Sequence, residues 1–196
     1  MKETLKYKLI LASNSPRRRE LLAGLDLEFE VRVLPGIDES YPETLEGGDI
    51  PLYIAKEKAQ AYVSQLADDE LLITADTIVW LDGKVLEKPA DEADACRMLR
   101  QLSGNTHQVY TGVCLTTRGR QVAFACCTDV TFAELSDEEI LHYVRRYRPF
   151  DKAGAYGVQE WIGYVAVESI QGSFYNVMGL PVQRLYQALK QNFNIQ

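Results

Sequence analysis

The sequence predicts an α/β fold with a mixed central β-sheet flanked by helices. Apolar runs with the length of strands alternate along the chain with segments in which apolar residues recur at helical spacing. Short turns at Asp82-Gly83 and Arg118-Gly119 join pairs of strand-like runs into hairpins. Because hairpins interrupt the alternation of strands and helices, we expect a mixed sheet. At 196 residues the chain can bury a sizeable core, and we expect a single domain over residues 1–196.

The chain begins with a strand that leads directly into a helix. Ser15 is expected to be the N-cap of this helix, Pro16 suits its first position, and Gly24 is expected to close it. Asp49 is expected to cap the second helix. The predicted elements are a strand over Lys8–Ala12, a helix over Pro16–Ala23, a strand over Phe29–Leu34, a helix from about Ile50 to Ala67 and a buried central strand over Leu71–Trp80.

The rest of the chain continues this alternation up to a C-terminal helix. Ser136 with Glu139 three residues later forms a capping box, which is typical of a helix start. The predicted elements are a hairpin strand at Val85-Leu86, a helix over Asp91–Leu102, hairpin strands over His107–Thr116 and Gln121–Phe132, a helix from Ser136 to about Arg146, a strand region over Trp161–Ile170 and a helix over Val182–Gln191.

The acidic composition restricts the classes of partner. The chain carries a net charge of −7 and has an isoelectric point near 5.0. Non-specific binding to DNA or RNA needs a broad basic surface, so no nucleic-acid partner is expected. A small polyanion is compatible with this charge if a local basic pocket, a metal ion or both hold it. The N-terminus has no long apolar stretch, so we expect neither a signal peptide nor a membrane span, and a cytoplasmic location.

The cysteines do not indicate a metal site or a disulfide framework. None of them shows Cys-x-x-Cys spacing, and the two histidines do not complete a zinc pattern. Reduced and mostly buried thiols are the expectation. The residues are Cys96, Cys114, Cys126 and Cys127, with His107 and His142.

The turn from the first strand into the first helix has the composition of a phosphate cradle. Ser13 and Ser15 bring hydroxyl groups to the helix N-terminus, where backbone N–H groups and the positive end of the helix dipole also lie. Arg17, Arg18 and Arg19 crowd the same end, and a bound anion would compensate the unfavourable charge. The alternative is an ordinary capped helix with solvated arginines.

Asp76 is the most anomalous residue of the chain. It lies in the middle of an apolar strand, after Ile73 and before Ile78, where a carboxylate is costly to bury unless it is paired or bound to a metal. The functional interpretation is a metal ligand or a general base, since polar residues inside a central strand tend to mark sites. The alternative is a salt-bridged aspartate of the core.

Four other polar residues are candidates for the same site as Asp76. Lys88 follows the Asp82-Gly83 hairpin, and Lys58 lies on the second helix. Glu39, in the loop before that helix, could supply a second carboxylate for a hard cation. Gln159 lies in a glycine-bearing segment, and its amide is suited to contact a base edge. Taken alone, the two lysines and Glu39 are more typical of solvated surface positions, and the alternative for Gln159 is an exposed amide in a turn.

Six segments of the chain together resemble the Maf family of nucleoside triphosphate pyrophosphatases. They follow the order of the family over nearly the whole chain, which makes the resemblance specific. It implies hydrolysis of a nucleoside triphosphate to the monophosphate and pyrophosphate with a divalent metal cation, Mg²⁺ or Mn²⁺. It also implies two lobes with a cleft and a homodimer. The segments are LASNSPRR at 11–18, ADTIV at 75–79, LEKP at 86–89, LSGNTHQVYTGV at 102–113, DKAGAYGVQ at 151–159 and GSFYNVMGLP at 172–181.

The resemblance also implies roles for individual residues. Asp76 matches the catalytic proton acceptor of the family, and Glu39 matches a polar position that lines its active site. Because a hard divalent cation prefers carboxylate ligands, Asp76 and Glu39 are the expected catalytic and metal-binding carboxylates. The expected substrate-binding residues include three positions linked to substrate choice and further positions that line the active site. They are Arg17, Thr77 and Gln159 for substrate choice, and Lys58 and Lys88 as lining residues. Ser13 and Ser15 are expected as phosphate contacts because of their place at the helix N-terminus, independently of the resemblance.

The form of the segment at 153–159 resembles the branch of the family that acts on dTTP and UTP, with modified pyrimidine triphosphates as further substrates. One alternative is a pyrophosphatase for 7-methyl-GTP or for a broad range of non-standard nucleotides. Another is a protein that senses a nucleotide without turnover and inhibits septum formation in cell division. Nucleic-acid binding through Arg17–Arg19 and Arg145-Arg146 is disfavoured by the acidic net charge.

Overall fold

The computed structural model describes residues 6–194 of the chain. These residues form two compact units. The first unit contains residues 6–76, 111–126 and 179–194, and the second contains residues 77–110 and 127–178. Residues 1–5, on which the expectation of no signal peptide partly rests, lie outside the described residues.

Seven strands and seven α-helices lie within residues 6–194, with two short 3-10 turns at Val63–Gln65 and Ala153–Ala155. The strands are β1 (Lys8–Leu11), β2 (Phe29–Val31), β3 (Glu70–Leu81), β4 (Lys84–Leu86), β5 (Thr106–Thr116), β6 (Gln121–Phe132) and β7 (Val167–Gln171). The helices are α1 (Pro16–Ala23), α2 (Asp49–Tyr62), α3 (Glu92–Leu102), α4 (Asp137–Tyr147), α5 (Trp161–Ala166), α6 (Phe174–Met178) and α7 (Val182–Phe193).

The described strands form one mixed sheet in the order β2-β1-β3-β5-β6-β7, with β4 paired to β3. β1 is parallel to both β2 and β3, whereas β4 is antiparallel to β3 and β7 is antiparallel to β6. Parallel neighbours need a crossover, and the segment between β1 and β3 contains α1, β2 and α2. The α/β fold with a mixed sheet is therefore confirmed.

Helix α2 is fixed against the strands of the first unit by a hydrogen bond and a close approach. The buried hydroxyl of Thr74 in β3 donates to the backbone carbonyl of Ala55 over 2.7 Å. A Cβ atom at Gly112 in β5 would collide with the backbone of Pro51, so only glycine lets β5 approach the start of the helix. Lys58 lies three residues after Ala55, on the same helix face, and is thereby directed toward β3.

The second unit has its own apolar core, in which a histidine is buried. His107 in β5 has no exposed surface, and its Nε2 atom lies 2.6 Å from the hydroxyl oxygen of Tyr156. The ring also meets the rings of Phe132 and Tyr156 edge to face. Burial in these apolar surroundings lowers the pKa of His107 to about 4.

This buried imidazole should make the stability of the chain depend on pH. The unfolded chain binds a proton at His107 near the ordinary pKa of 6.5, whereas the folded chain binds it only near pH 4. Stability should therefore be unaffected above pH 7 and fall as the pH drops from 6.5 to 4, by about 3 kcal/mol at 1.4 kcal/mol per pH unit.

Urea unfolding of wild type and His107→Leu at several pH values checks this expectation. The values at pH 8, where the ring is neutral in both states, give the cost of the substitution itself. The variant should show a flatter pH dependence between pH 6.5 and 4 than wild type. Parallel curves for the two proteins would contradict the assigned role of His107.

Two of the predicted elements differ from the structure. The region over Trp161–Ile170 is not a single strand, because it begins with α5 before β7. Ile162 and Ala166 are the buried residues of α5, and their spacing of four is helical. The turn-rich segment at 172–181 contains α6, which the sequence did not predict.

The predicted helix ends agree with the structure at some positions and differ from it at others. Ser15 is the N-cap of α1 and Ser136 forms a capping box with Glu139, so both predictions are confirmed. The expected cap Asp49 is instead the first residue of α2, and Gly48 precedes it without a side-chain cap. α2 ends at Tyr62 rather than Ala67, because the backbone tightens into a 3-10 turn there.

All four cysteines lie within the described residues, and none of them is joined in a disulfide there. The expectation that most of them are buried is wrong, since only Cys114 is fully buried and Cys127 is exposed. Of the helices within residues 6–194, none combines the length and the apolar character that crossing a membrane requires.

Candidate active site

Asp76 lies at the centre of β3 and faces a lysine from α2. Its carboxylate Oδ1 is 3.2 Å from Nζ of Lys58, which also donates to the carbonyl of Ala75 over 3.3 Å. The same ammonium lies 2.9 Å from Oε1 of Glu39 in the loop before α2. Two carboxylates therefore share one ammonium. We call this group the Asp76–Lys58–Glu39 cluster.

The cluster is largely but not completely withdrawn from solvent. The side chains of Asp76 and Lys58 are 15% and 14% exposed, while that of Glu39 is 56% exposed. The pKa of Asp76 is raised by burial, which outweighs the opposing effects of Lys58 and Arg18. A carboxylate with a raised pKa binds a proton more readily, which is the property that a general base near neutral pH needs.

Arg18 is brought to the cluster by the capped start of α1. Its backbone N–H donates to Oγ of the N-cap Ser15, and its Nε donates to the carbonyl of Gly179 over 2.8 Å. Burial lowers the pKa of Arg18, while the nearby charge of Asp76 raises it. The charge of Arg17 also lowers the pKa of Arg18, so two guanidinium groups lie close enough to repel each other. An anion bound between them would relieve that repulsion.

The hydroxyl groups predicted as phosphate contacts are already used as local acceptors. Oγ of Ser13 accepts the backbone N–H of Ser15 over 3.2 Å, and Oγ of Ser15 accepts the N–H of Arg18 over 3.4 Å. A phosphate contact would use each hydroxyl as a donor, so the role of both serines stays a prediction. Ser13 is buried, whereas Ser15 is half-buried.

The three arginines at the helix start differ in their surroundings. Arg17 and Arg18 are half-buried, whereas Arg19 is exposed. Arg18 lies three and four residues before the buried Leu21 and Leu22, a spacing that favours the buried face of α1. Arg17 and Arg19 each have the same kind of spacing to one of these leucines, so the sequence did not single out Arg18, and Arg17 was the arginine expected to contribute to substrate choice.

The remaining candidates belong to the second unit. Thr77 follows Asp76 in β3 and is half-buried. Lys88 is exposed shortly after the end of β4, and Gln159 is exposed in a buried glycine-bearing segment. That these three residues contribute to one site with Asp76 stays a prediction, as does the cleft that the resemblance implies.

The two carboxylates of the cluster fit the donor set of a hard divalent cation. Among residues 6–194, no group of three or more His, Cys, Asp or Glu side chains lies close enough together to hold a metal ion. Mg²⁺ is commonly bound through one or two carboxylates together with substrate phosphates, so a complete protein cage is not required. Asp76 and Glu39 already converge on one cation, the ammonium of Lys58.

Comparison with known proteins gives consistent relatives over nearly the whole chain. The sequence profile of the family described as "Maf-like protein" matches residues 8–192. A Phocaeicola vulgatus protein named "dTTP/UTP pyrophosphatase" is 66% identical over 185 residues, covering 94% of this chain and 96% of that protein. A protein of the same name from Flavobacterium johnsoniae is 47% identical over 190 residues, covering 96% and 97%.

Similarity to solved structures is weaker. A crystal structure of a nucleoside-triphosphatase / dITP/XTP pyrophosphatase from Mycobacterium abscessus covers 93% of this chain and 94% of that chain. Its TM-score is 0.43 and its sequence identity is 16%. The sequence profile covers nearly all of the described residues, and the relatives combine similar coverage with identities of 47% and 66%. The chain belongs to the Maf-like protein family.

Proposed function

We propose that this chain hydrolyses dTTP and UTP to the nucleoside monophosphate and pyrophosphate. The proposal is supported by relatives named "dTTP/UTP pyrophosphatase" that are up to 66% identical among those compared. The structural observation that carries it is the Asp76–Lys58–Glu39 cluster beside Arg18. This arrangement places a proton acceptor, Asp76, next to the cationic groups of Lys58 and Arg18.

Asp76 acts in this proposal as the general base. A water molecule attacks the α-phosphorus, and its proton passes to the carboxylate of Asp76. The bond from the α-phosphorus to the bridging oxygen breaks, and pyrophosphate leaves with the electron pair. Lys58 holds the carboxylate in place through the 3.2 Å contact and limits its rotation.

The cationic groups of the first unit stabilise the charge that develops on the phosphates. Arg17 and Arg18 lie close to each other at the start of α1, and Arg18 is held by the carbonyl of Gly179. Because the guanidinium of Arg18 is fixed before substrate arrives, little reorganisation is needed in the transition state. Lys58 and the exposed Lys88 add positive charge for the triphosphate.

Asp76 and Glu39 are the residues that would hold a divalent cation, Mg²⁺ or Mn²⁺. When bound, such a cation neutralises phosphate charge and lowers the pKa of a coordinated water. Gln159 and Thr77 are proposed to select the base, with modified pyrimidines as further substrates. The homodimer and the cytoplasmic location are kept as predictions.

A hydrolysis screen tests the proposed function. Purified protein is incubated with dTTP, UTP, CTP or 7-methyl-GTP, with and without Mg²⁺ or Mn²⁺, and the products are separated by ion-exchange chromatography. We expect metal-dependent release of dTMP and UMP with pyrophosphate, and kcat/KM for CTP and 7-methyl-GTP at least about tenfold lower.

Two outcomes of this screen favour the alternatives. Preferred hydrolysis of 7-methyl-GTP would favour the alternative activity, a pyrophosphatase for 7-methyl-GTP. Tight nucleotide binding without pyrophosphate release, with either metal, would favour a nucleotide sensor and contradict the proposed activity.

A further inference from the structure

The exposed side chain of Gln159 is carried by a short turn that is tied at both ends. The backbone N–H of Glu160 donates to the carbonyl of Gly157 over 3.0 Å, which closes the turn. The N–H of Gly163 donates to the carbonyl of Glu160 over 2.9 Å, which joins the turn to α5. Gly157 and Val158 are buried, so Gln159 is the exposed residue of a segment that is otherwise packed.

A charged side chain lies directly under this turn. Oε1 of Glu160 is buried, accepts no hydrogen bond within the described residues, and is balanced by Nζ of Lys152 at 3.3 Å. The side chains of Glu160 and Lys152 are only 18% and 13% exposed. A Cβ atom at Gly157 would collide with Oε1 of Glu160 and would lie 3.0 Å from Cε of Lys152. The carboxylate is thus packed against the turn backbone.

A buried tyrosine holds the same turn from α4. The hydroxyl oxygen of Tyr143 accepts the backbone N–H of Gly157 over 3.0 Å. The pKa of Tyr143 is raised, chiefly by burial, and the neighbouring carboxylate of Glu160 raises it further. Tyr143 and Glu160 therefore lie close to each other below Gly157, on elements from two different parts of the second unit.

We propose that Glu160, paired with Lys152 and adjacent to Tyr143, is a positioning residue that sets substrate preference by fixing the turn on which Gln159 is presented. The inference rests on the proposed function, in which Gln159 contacts the base. A packed ion pair restricts the turn to one conformation, whereas a turn without it presents the amide of Gln159 in several orientations. A hydrogen-bonding side chain discriminates between bases only if its donor and acceptor are held in place.

The experiment is a double-mutant cycle on substrate preference, using Glu160→Ala, Gln159→Ala and the double variant. The measured quantity is the ratio of kcat/KM for dTTP to that for CTP. Glu160→Ala should lower this ratio about tenfold through KM, with kcat for dTTP changed by less than about twofold. In the Gln159→Ala background, Glu160→Ala should have no further effect on the ratio.

Matched variants keep the test decisive. Glu168→Ala removes an exposed glutamate of β7 in the same unit and should leave the ratio unchanged. If Glu160→Ala does not fold, Glu160→Gln removes the charge at nearly constant shape, and Tyr143→Phe removes the acceptor of the Gly157 N–H. Both of these variants should lower the ratio of kcat/KM for dTTP to that for CTP, as is expected of Glu160→Ala.

The possible failures are distinguishable. A wild-type protein without pyrophosphate release contradicts the proposed function itself. If Gln159→Ala lowers the ratio and Glu160→Ala does not, the positioning role alone is overturned. An effect of Glu160→Ala that persists in the Gln159→Ala background also overturns it, because Glu160 would then act by another route.

Discussion

Asp76→Asn should lower kcat/KM for dTTP by about 1,000-fold, within the range that a positioned general base contributes. Asparagine has nearly the shape of aspartate and can still contact Lys58, but its amide cannot accept the proton of the attacking water. The loss should therefore fall on kcat. Steady-state pyrophosphate release at saturating metal measures it, with thermal unfolding to confirm that the variant is folded.

Asp69→Asn is the matched control for this substitution. Asp69 is exposed and directly precedes β3, so the variant makes the same chemical change outside the cluster. It should retain wild-type activity within about twofold, the range of substitutions away from a site. An Asp76→Asn protein that turns over dTTP within tenfold of wild type would show that the proton acceptor is another group.

Arg18→Met should lower kcat for dTTP by about 100-fold, in line with the loss of one pre-organised charge-stabilising group. The substitution keeps much of the aliphatic volume and removes the guanidinium that lies beside Asp76 and donates to the carbonyl of Gly179. Product release and nucleotide binding are measured separately, so that a change in kcat is distinguished from a loss of affinity.

The adjacent arginine supplies a control on the same helix turn. Arg19 is exposed, and Arg19→Met should change kcat by less than about twofold if general positive charge at the helix start is unimportant. Arg18→Lys should recover only part of the activity, since lysine keeps a charge but cannot reproduce the planar donor set. Equal effects of Arg18→Met and Arg19→Met would contradict a specific role for Arg18.

The sequence was informative wherever one residue conflicted with its local surroundings. Asp76 is an acid inside an apolar strand, and that conflict identifies it without any coordinates. Lys58 and Glu39 were found only as possible companions of Asp76. One ammonium contacts both carboxylates because α2 and the loop before it fold back onto β3. No local sequence pattern encodes that arrangement.

Features that depend on distant packing were missed. Arg18 has the same chemistry as Arg17 and Arg19, and its contact with Gly179 lies 161 residues further on, beyond the reach of any local pattern. α5 was read as a strand because its residue types favour strands, although its buried positions have helical spacing. The charge of Glu160 beneath the turn could not be inferred, since Tyr143 and Lys152 approach it from other segments.

Turnover of dTTP in water enriched in ¹⁸O tests the central claim most directly, because it reports which phosphorus atom the water attacks. If Asp76 delivers water to the α-phosphorus, mass spectrometry should find the label in dTMP and none in pyrophosphate. Labelled pyrophosphate, or release of inorganic phosphate in its place, would contradict the account of this site.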